Sequence, residues 1–263
     1  MTAFQAVHRS SILLSCTMEK FNFKKVNSNE NVVEDFDAFE LCEKAEKIIQ
    51  EKNKLGFGMS ADVFLEDFKS GNLAYKIIHT KFTSYQNPAE IEANYLEKVK
   101  NISTGEVLIP TPYAVLNYKN AQEKYYKAKN IEVLIMEQVD GFTVEEACAN
   151  PDLIKDLDVS KFYDTLKNFI KKMNDENIYH RDLHWKNVMI DKATYKPIVI
   201  DFGLATMSYG DDNPYIQEAY EKGPNGLTQR IGHKLLSDDT QSNKIRSQLL
   251  DAKKTLQISK NSV

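Results

Sequence analysis

Near residue 141 the hydrophobic pattern changes from mainly strand-like to mainly helical, and this change constrains the fold more than any other feature. Before it, short runs rich in Val, Ile, Leu and Phe alternate with polar residues, as is typical of strands, and an amphipathic helix over residues 88–100 lies among them. After it, apolar residues recur at helical intervals up to about residue 177. The sequence therefore predicts an α+β fold with a sheet-rich first lobe and a helix-rich second lobe.

Turn and capping signals place the elements within this pattern. Residues 69–72 (KSGN) interrupt a strand pattern and predict a hairpin, and two further strands are predicted over residues 112–118 and 131–139. Thr143 and Glu146 have the spacing of a capping box, which predicts that a helix begins there. The change from strands to helices therefore falls within a few residues.

The same pattern sets the expected boundaries. Residues 1–32 are predicted to form a poorly ordered tail, with a second methionine, Met18, leaving the natural start open. The domain is predicted over residues 33–263 and begins with an amphipathic helix over residues 33–54. The last segment, residues 223–263, fits either a terminal helix or a partner-binding extension. The predicted divisions of the domain are a first lobe over 33–138, a hinge over 138–141 and a second lobe over 142–263.

Composition excludes several classes of protein. A formal net charge of -4 and a pI near 5.8 give no basic footprint, so nucleic acid is not expected as a partner. No apolar run approaches the roughly 18 residues of a membrane span. Cys16, Cys42 and Cys148 lie far apart without a CxxC pair, which favours a reducing cytoplasm over disulfides or zinc. The sequence leaves the oligomeric state open.

A tight polar cluster lies between two apolar runs at residues 178–190 (IYHRDLHWKNVMI). Such side chains resist burial, so the cluster needs a structural or a chemical reason. One interpretation is a polar turn between a helix and a strand, in which Asp and Asn bond to their own backbone. The other is a loop beside a phosphate and a metal ion. The residues concerned are His180, Arg181, Asp182, His184 and Asn187.

Asp201 favours the second interpretation. It follows an apolar strand, and the residues between Asn187 and Asp201 are typical of a two-stranded hairpin. Such a hairpin would hold Asp182 and Asn187 at its entry and Asp201 at its exit. Carboxylate and amide oxygens are the hard ligands that Mg²⁺ takes when it also binds substrate phosphates. The three residues therefore predict a magnesium site.

Two weaker signals precede this hairpin. Gly56, Gly58 and Val63 have the order G-x-G-x-x-x-x-V, which suits close approach of a phosphate to the backbone but is also common in hairpin turns. Lys76 lies mid-strand among apolar residues, where its ammonium must reach water or meet a partner. Glu92 on the following helix is the first candidate partner, and Glu90 and Glu97 remain alternatives.

Taken in order over about residues 54–206, these motifs resemble the protein-kinase superfamily: G-x-G-x-x-A-x-V, A-x-K, a helix glutamate, MEQV, H-R-D-x-x-x-x-N and D-F-G. The resemblance implies a bilobal kinase-like fold, ATP and Mg²⁺ as cofactors, and transfer of a phosphoryl group to a hydroxyl. It implies that Lys76, paired with Glu92, binds the α- and β-phosphates and that Asp182 accepts the hydroxyl proton. Asn187 and Asp201 would hold magnesium.

The resemblance also implies an adenine site. Met136 would lie at the back of the pocket, and Glu137 and Val139 would offer backbone hydrogen bonds to the base. Val63 and Ala74 would form an apolar roof over the ring. Ala and Val are equally ordinary strand residues, and the hinge side chains are less diagnostic because the contacts there are main-chain.

Three departures from the family pattern bear on the substrate. Ala61 replaces the third glycine of the phosphate loop, and His184 occupies the position where serine/threonine kinases have a lysine. HRDLHWKN is similar to the catalytic loop of haspin-like kinases, and its D-L-H-x-x-N portion to aminoglycoside phosphotransferases. No A-P-E follows Asp201, so a shortened second lobe is expected. A protein serine or threonine is the first expectation for the acceptor, and a small-molecule kinase and a non-catalytic nucleotide-binding scaffold are the alternatives.

Overall fold

The computed structural model describes residues 21–26, 37–51, 61–68, 71–79, 88–118, 131–205 and 237–261. The chain divides into two compact units. Each unit contains both helices and an antiparallel sheet, which confirms the predicted α+β class. The first unit comprises Met1–Asn94 and Thr111–Gln138, and the second comprises Tyr95–Pro110 and Val139–Val263. The sequence placed residues 95–110 in a contiguous first lobe, whereas in the structure they cluster with the second unit.

A five-stranded antiparallel sheet forms the first unit. Its strand order is β1-β4-β5-β3-β2. Cross-strand pairing aligns Val63 of β2 and Leu134 of β5 with Lys76 of β3, and aligns Ala74 with Met136. Because directly paired residues and residues two apart share a face, these five side chains lie on one face of the sheet. The strands are β1 Phe21–Lys25, β2 Ala61–Phe68, β3 Gly71–His79, β4 Pro112–Tyr118 and β5 Ile131–Glu137.

Helix α1 (Ala38–Glu51) covers the opposite face of this sheet. Its buried residues pack against Leu73, Tyr75 and Ile77, which alternate with Lys76 along β3. The helix thus closes the core on the face that does not carry Lys76. The buried residues of the helix are Leu41, Cys42, Ala45, Ile48 and Ile49. Helix α2 (Pro88–Ser103) begins in the first unit and buries Ala89, Glu92, Ala93, Leu96 and Val99.

Strand β1 corrects the predicted N-terminal tail. Residues 21–25 fall inside the segment expected to be poorly ordered, but they pair with β4, with Phe21 opposite Tyr118 and Lys25 opposite Ala114. A five-residue strand on a sheet edge is held by backbone hydrogen bonds to a strand distant in sequence. The local pattern FNFKK carries no sign of that partner.

The second unit contains helices around a small sheet of order β6-β7-β8. Strands β7 and β8 form the predicted hairpin, and Thr143 and Glu146 form the predicted capping box through both of its bonds. The elements are β6 Gly141–Thr143, α3 Val144–Ala149, the 3₁₀ turn Pro151–Ile154, α4 Val159–Asp175, β7 Val188–Asp191, β8 Pro197–Val199 and α5 Asp238–Asn261.

The C-terminal segment forms a packed helix. Helix α5 lies against α3, α4 and the 3₁₀ turn, and it buries Ile245, Leu249 and Ala252. Of the two expectations for residues 223–263, the terminal helix therefore describes residues 238–261. Among the described helices, none is both long and apolar enough to cross a membrane.

Gly141 permits β6 to approach β7. A Cβ atom built on Gly141 would lie 2.8 Å from the carbonyl oxygen of Ile190 and 2.8 Å from Cδ1 of Ile198. We expect Gly141→Ala to lower the free energy of unfolding by about 1–3 kcal/mol, because the backbone oxygen cannot move aside as a flexible side chain can. Urea unfolding measures the change. The matched control is Ala149→Gly at the end of α3, which removes a methyl group without any overlap; equal stability of Gly141→Ala and the wild type would contradict the close approach.

Candidate active site

Asp182 and Asn187 lie together in a buried loop of the second unit. The amide Nδ2 of Asn187 donates to the backbone oxygen of Asp182 at 2.9 Å and to its Oδ2 at 3.2 Å. Both side chains are buried. These bonds turn Nδ2 of Asn187 toward Asp182 and its Oδ1 away. The loop thus places the Asp182 carboxylate beside the amide nitrogen of Asn187.

The end of β8 is joined to the same loop. The backbone N–H of Ile200 donates to the carbonyl oxygen of Asn187 at 3.0 Å, so Asp201 follows directly after a residue fixed to the loop. Asp201 has φ 62°, in the left-handed region, and its Oδ1 accepts the N–H of Gly203 at 3.3 Å. A non-glycine residue in this region is uncommon, although Asp tolerates it better than most. The structure therefore connects Asp182, Asn187 and Asp201 through one short hydrogen-bonded segment.

His180 links the two sides of this segment. Its buried ring accepts the Asp182 N–H at Nδ1 (3.2 Å), and Nε2 lies 3.0 Å from the carbonyl oxygen of Ile200. Since a carbonyl can only accept, the hydrogen must reside on Nε2, and the neutral ring satisfies both bonds. The ring also packs against Phe202, with centroids 4.6 Å apart. His180 thus braces the residues on either side of the candidate site.

Asp238 is a site residue that sequence reasoning missed. Its buried carboxylate accepts the backbone N–H of His180 at 2.8 Å and that of Arg181 at 3.1 Å. It is the first residue of α5, and Ser237 caps the helix by accepting the Thr240 N–H. An acidic residue at a helix start is visible in the sequence. Its partner is not, because the loop it holds lies far earlier in the chain.

His184 faces the carboxylate of Asp182. Its Nδ1 accepts the Lys186 N–H at 3.1 Å, so in the neutral ring Nε2 carries the hydrogen. Nε2 lies 3.7 Å from Oδ1 of Asp182. The next residue, Trp185, is 36% exposed. Lys186 forms an ion pair with Glu145. The loop therefore presents an imidazole N–H beside the candidate base.

Lys76 and Glu92 form a buried ion pair in the first unit. Lys76 Nζ lies 2.8 and 2.7 Å from the two carboxylate oxygens of Glu92, and the residues are 6% and 1% exposed. Of the alternatives that the sequence left open, Glu90 instead pairs with Lys24. A charge buried to this extent depends on its partner, because desolvation of either ion alone costs several kcal/mol.

Of the residues expected around adenine, Val63, Ala74 and Met136 lie on the same sheet face as Lys76. Val63 is 55% exposed on this face, and Ala74 and Met136 are paired across it. Glu137 is fixed at the strand end: its carboxylate accepts the Thr111 hydroxyl at 2.6 Å and its N–H donates to the Thr111 carbonyl at 2.8 Å. These bonds join the end of β5 to Thr111, the residue before β4.

The remaining expected site residues lie in different parts of the chain. Val139 is the first residue of the second unit after β5. Gly56 and Gly58 lie outside the described residues, so their predicted phosphate contacts stay predictions. Lys76 and Glu92 belong to the first unit, and Asp182, Asn187 and Asp201 to the second.

Comparisons with known proteins agree on one family. A family model described as "Protein kinase domain" matches residues 49–220, more than half of the chain. The chain is also 31% identical over 77 residues to a "Probable serine/threonine-protein kinase fnkB" of Dictyostelium discoideum. That match covers 29% of this chain and 14% of the relative, so the two proteins share only a short segment of the relative's length.

Proposed function

Since the chain belongs to the protein kinase family, we propose that it transfers the γ-phosphoryl group of ATP to a hydroxyl of a protein serine or threonine. The observation that carries this proposal is the bonded pair of Asp182 and Asn187, joined to Asp201 through Asn187 and Ile200. Phosphoryl transfer depends mainly on positioning and charge neutralisation. These side chains would position the attacking hydroxyl and hold the cation that neutralises the phosphate charge.

The donor set of the second unit suits Mg²⁺. Asn187 would offer its Oδ1 atom, since Nδ2 is turned to Asp182, and Asp201 would offer its carboxylate. Both are hard oxygen donors of the type that magnesium selects. When bound, the ion would neutralise phosphate charge.

Asp182 would act as the base for the attacking hydroxyl. Its backbone N–H is fixed by His180, and the amide of Asn187 contacts its Oδ2 atom. A carboxylate held in this way can accept the hydroxyl proton without moving. His184, whose Nε2 faces the other oxygen of Asp182, would help to orient the carboxylate.

Lys76 would bind the α- and β-phosphates. Glu92 holds its ammonium at a fixed place on the sheet face. Val63, Ala74 and Met136 share that face and supply apolar surface for the adenine ring.

A small-molecule kinase is the second candidate, because His184 of the D-L-H sequence faces Asp182 where a protein kinase would usually carry a lysine. The serine/threonine designation of the Dictyostelium relative favours a protein acceptor.

The test is transfer of label from γ-labelled ATP in the presence of Mg²⁺. We expect label on casein as a generic acceptor or on the protein itself, and no label when EDTA removes the ion, because the phosphate charges are then not neutralised. Label found only on an aminoglycoside or another small hydroxyl compound would favour the second candidate. Nucleotide binding without any transfer would favour a non-catalytic scaffold.

A further inference from the structure

Glu132 is a buried carboxylate for which the proposed chemistry has no use. It lies in β5, is 4% exposed, and its Oε2 accepts the backbone N–H of Ala89 at 2.8 Å. Ala89 lies in the first turn of α2, where backbone N–H groups have no partner within the helix and a negative charge is favourable. Burial raises the pKa of Glu132, and the Ala89 bond opposes that rise. The carboxyl group of Glu132 is therefore buried in the core and bonded to the start of a helix.

The position of Glu132 relates it to the Lys76–Glu92 pair. Glu132 is aligned with Ile78, and Leu134 with Lys76, so Glu132 and Lys76 lie on the same face of the sheet. On the helix, Ala89 and Glu92 are three residues apart and share one side. The sheet thus forms two polar contacts with one side of α2: Glu132 with the Ala89 N–H, and Lys76 with Glu92.

The pair between Lys24 and Glu90 also joins the sheet to this first turn. Lys24 and Glu90 are 56% and 31% exposed at their side chains, and exposed pairs contribute little to stability. The Glu132–Ala89 bond is buried, where water competes less for it than for the partly exposed pair, so it is the stronger of the two links.

We propose that Glu132 is a positioning residue: it fixes the first turn of α2 and thereby holds Glu92 against Lys76. The Lys76–Glu92 pair tolerates only a small displacement of Glu92. Its carboxylate oxygens lie 2.7 and 2.8 Å from Lys76 Nζ, and a hydrogen bond is lost by about 3.5 Å. A displacement of the helix by about 1 Å is therefore enough to separate the pair. The consequence for catalysis rests on the proposed function, in which Lys76 binds phosphate.

Two variants separate the roles of charge and packing. Glu132→Met keeps a similar volume and removes both acceptor oxygens, while Glu132→Gln keeps one oxygen and removes the charge. Neither leaves an unpaired buried charge, so both are expected to fold. The matched control is Glu97→Gln, the same chemical change further along α2.

The measurements are hydrogen exchange at the Ala89 amide and the rate at which an amine-reactive reagent labels Lys76. We expect Glu132→Met to raise Ala89 exchange about 10-fold, because the buried N–H loses its acceptor. Labelling of Lys76 should rise several-fold, because an ammonium without its carboxylate partner more readily loses the proton that blocks its electron pair and is more open to the reagent. Glu132→Gln should be intermediate and Glu97→Gln unchanged. Wild-type exchange and wild-type labelling in Glu132→Met would overturn the proposal.

Activity gives a separate readout. In an active chain we expect Glu132→Met to raise KM for ATP by about 10-fold or more, as small misplacements at a phosphate contact do. An unchanged KM would overturn the positioning role. A wild-type chain without phosphoryl transfer would overturn the proposed function instead, and exchange and labelling would then decide the role of Glu132 alone.

Discussion

Replacing Asp182 by Asn is expected to lower kcat by about 100-fold to 10,000-fold, the usual contribution of a positioned general base. The amide has nearly the same shape, and the Asn187 amide keeps its bond to the backbone oxygen at residue 182, so the loop should hold its geometry. An amide cannot accept the hydroxyl proton. We therefore expect KM for ATP to change little while kcat falls, as measured by initial rates of label transfer.

The control for this variant is Asp164→Asn, the same change at an exposed position of α4. Its kcat should equal that of the wild type. Circular dichroism and thermal unfolding should show that Asp182→Asn is folded. Full activity of a folded Asp182→Asn chain would assign proton transfer to another group and contradict the role given to this loop.

The sequence predicted those parts of the structure that depend on neighbours a few residues away. The capping box of Thr143 and Glu146 spans three residues, and the hairpin of β7 and β8 closes over a short turn. Asp182 and Asn187 also lie within one loop, so their juxtaposition follows from spacing alone. Local chemistry decides such features, and a single sequence displays it.

The features that sequence reasoning missed depend on distant partners. β1 is a strand because β4 offers it an edge, and Asp238 is a loop anchor because α5 packs beside that loop. In the sequence Glu132 is one more residue of a predicted strand, and its bond to the Ala89 N–H is visible only in the structure. In each case the side chain or the strand is visible in the sequence, but its partner is fixed only by tertiary packing.

Replacing Lys76 by Met is expected to destabilise the protein as well as to inactivate it. Glu92 is 1% exposed in the wild type, and the change removes the cation with which its carboxylate is paired in the core. Breaking a buried pair in this way typically costs about 3–5 kcal/mol. Loss of the ammonium should also abolish the proposed phosphate contact. Urea unfolding and label transfer measure the two effects.

A double variant distinguishes these effects. Lys76→Met combined with Glu92→Leu removes both charges, and we expect it to recover most of the lost stability, since apolar replacement of a buried pair is often neutral or stabilising. It should remain inactive, because no ammonium is restored. Lys24→Met, which breaks the more exposed pair with Glu90, should change the free energy of unfolding by less than about 1 kcal/mol. If the double variant were as unstable as Lys76→Met alone, the instability would come from lost packing at residue 76 and not from the uncompensated carboxylate.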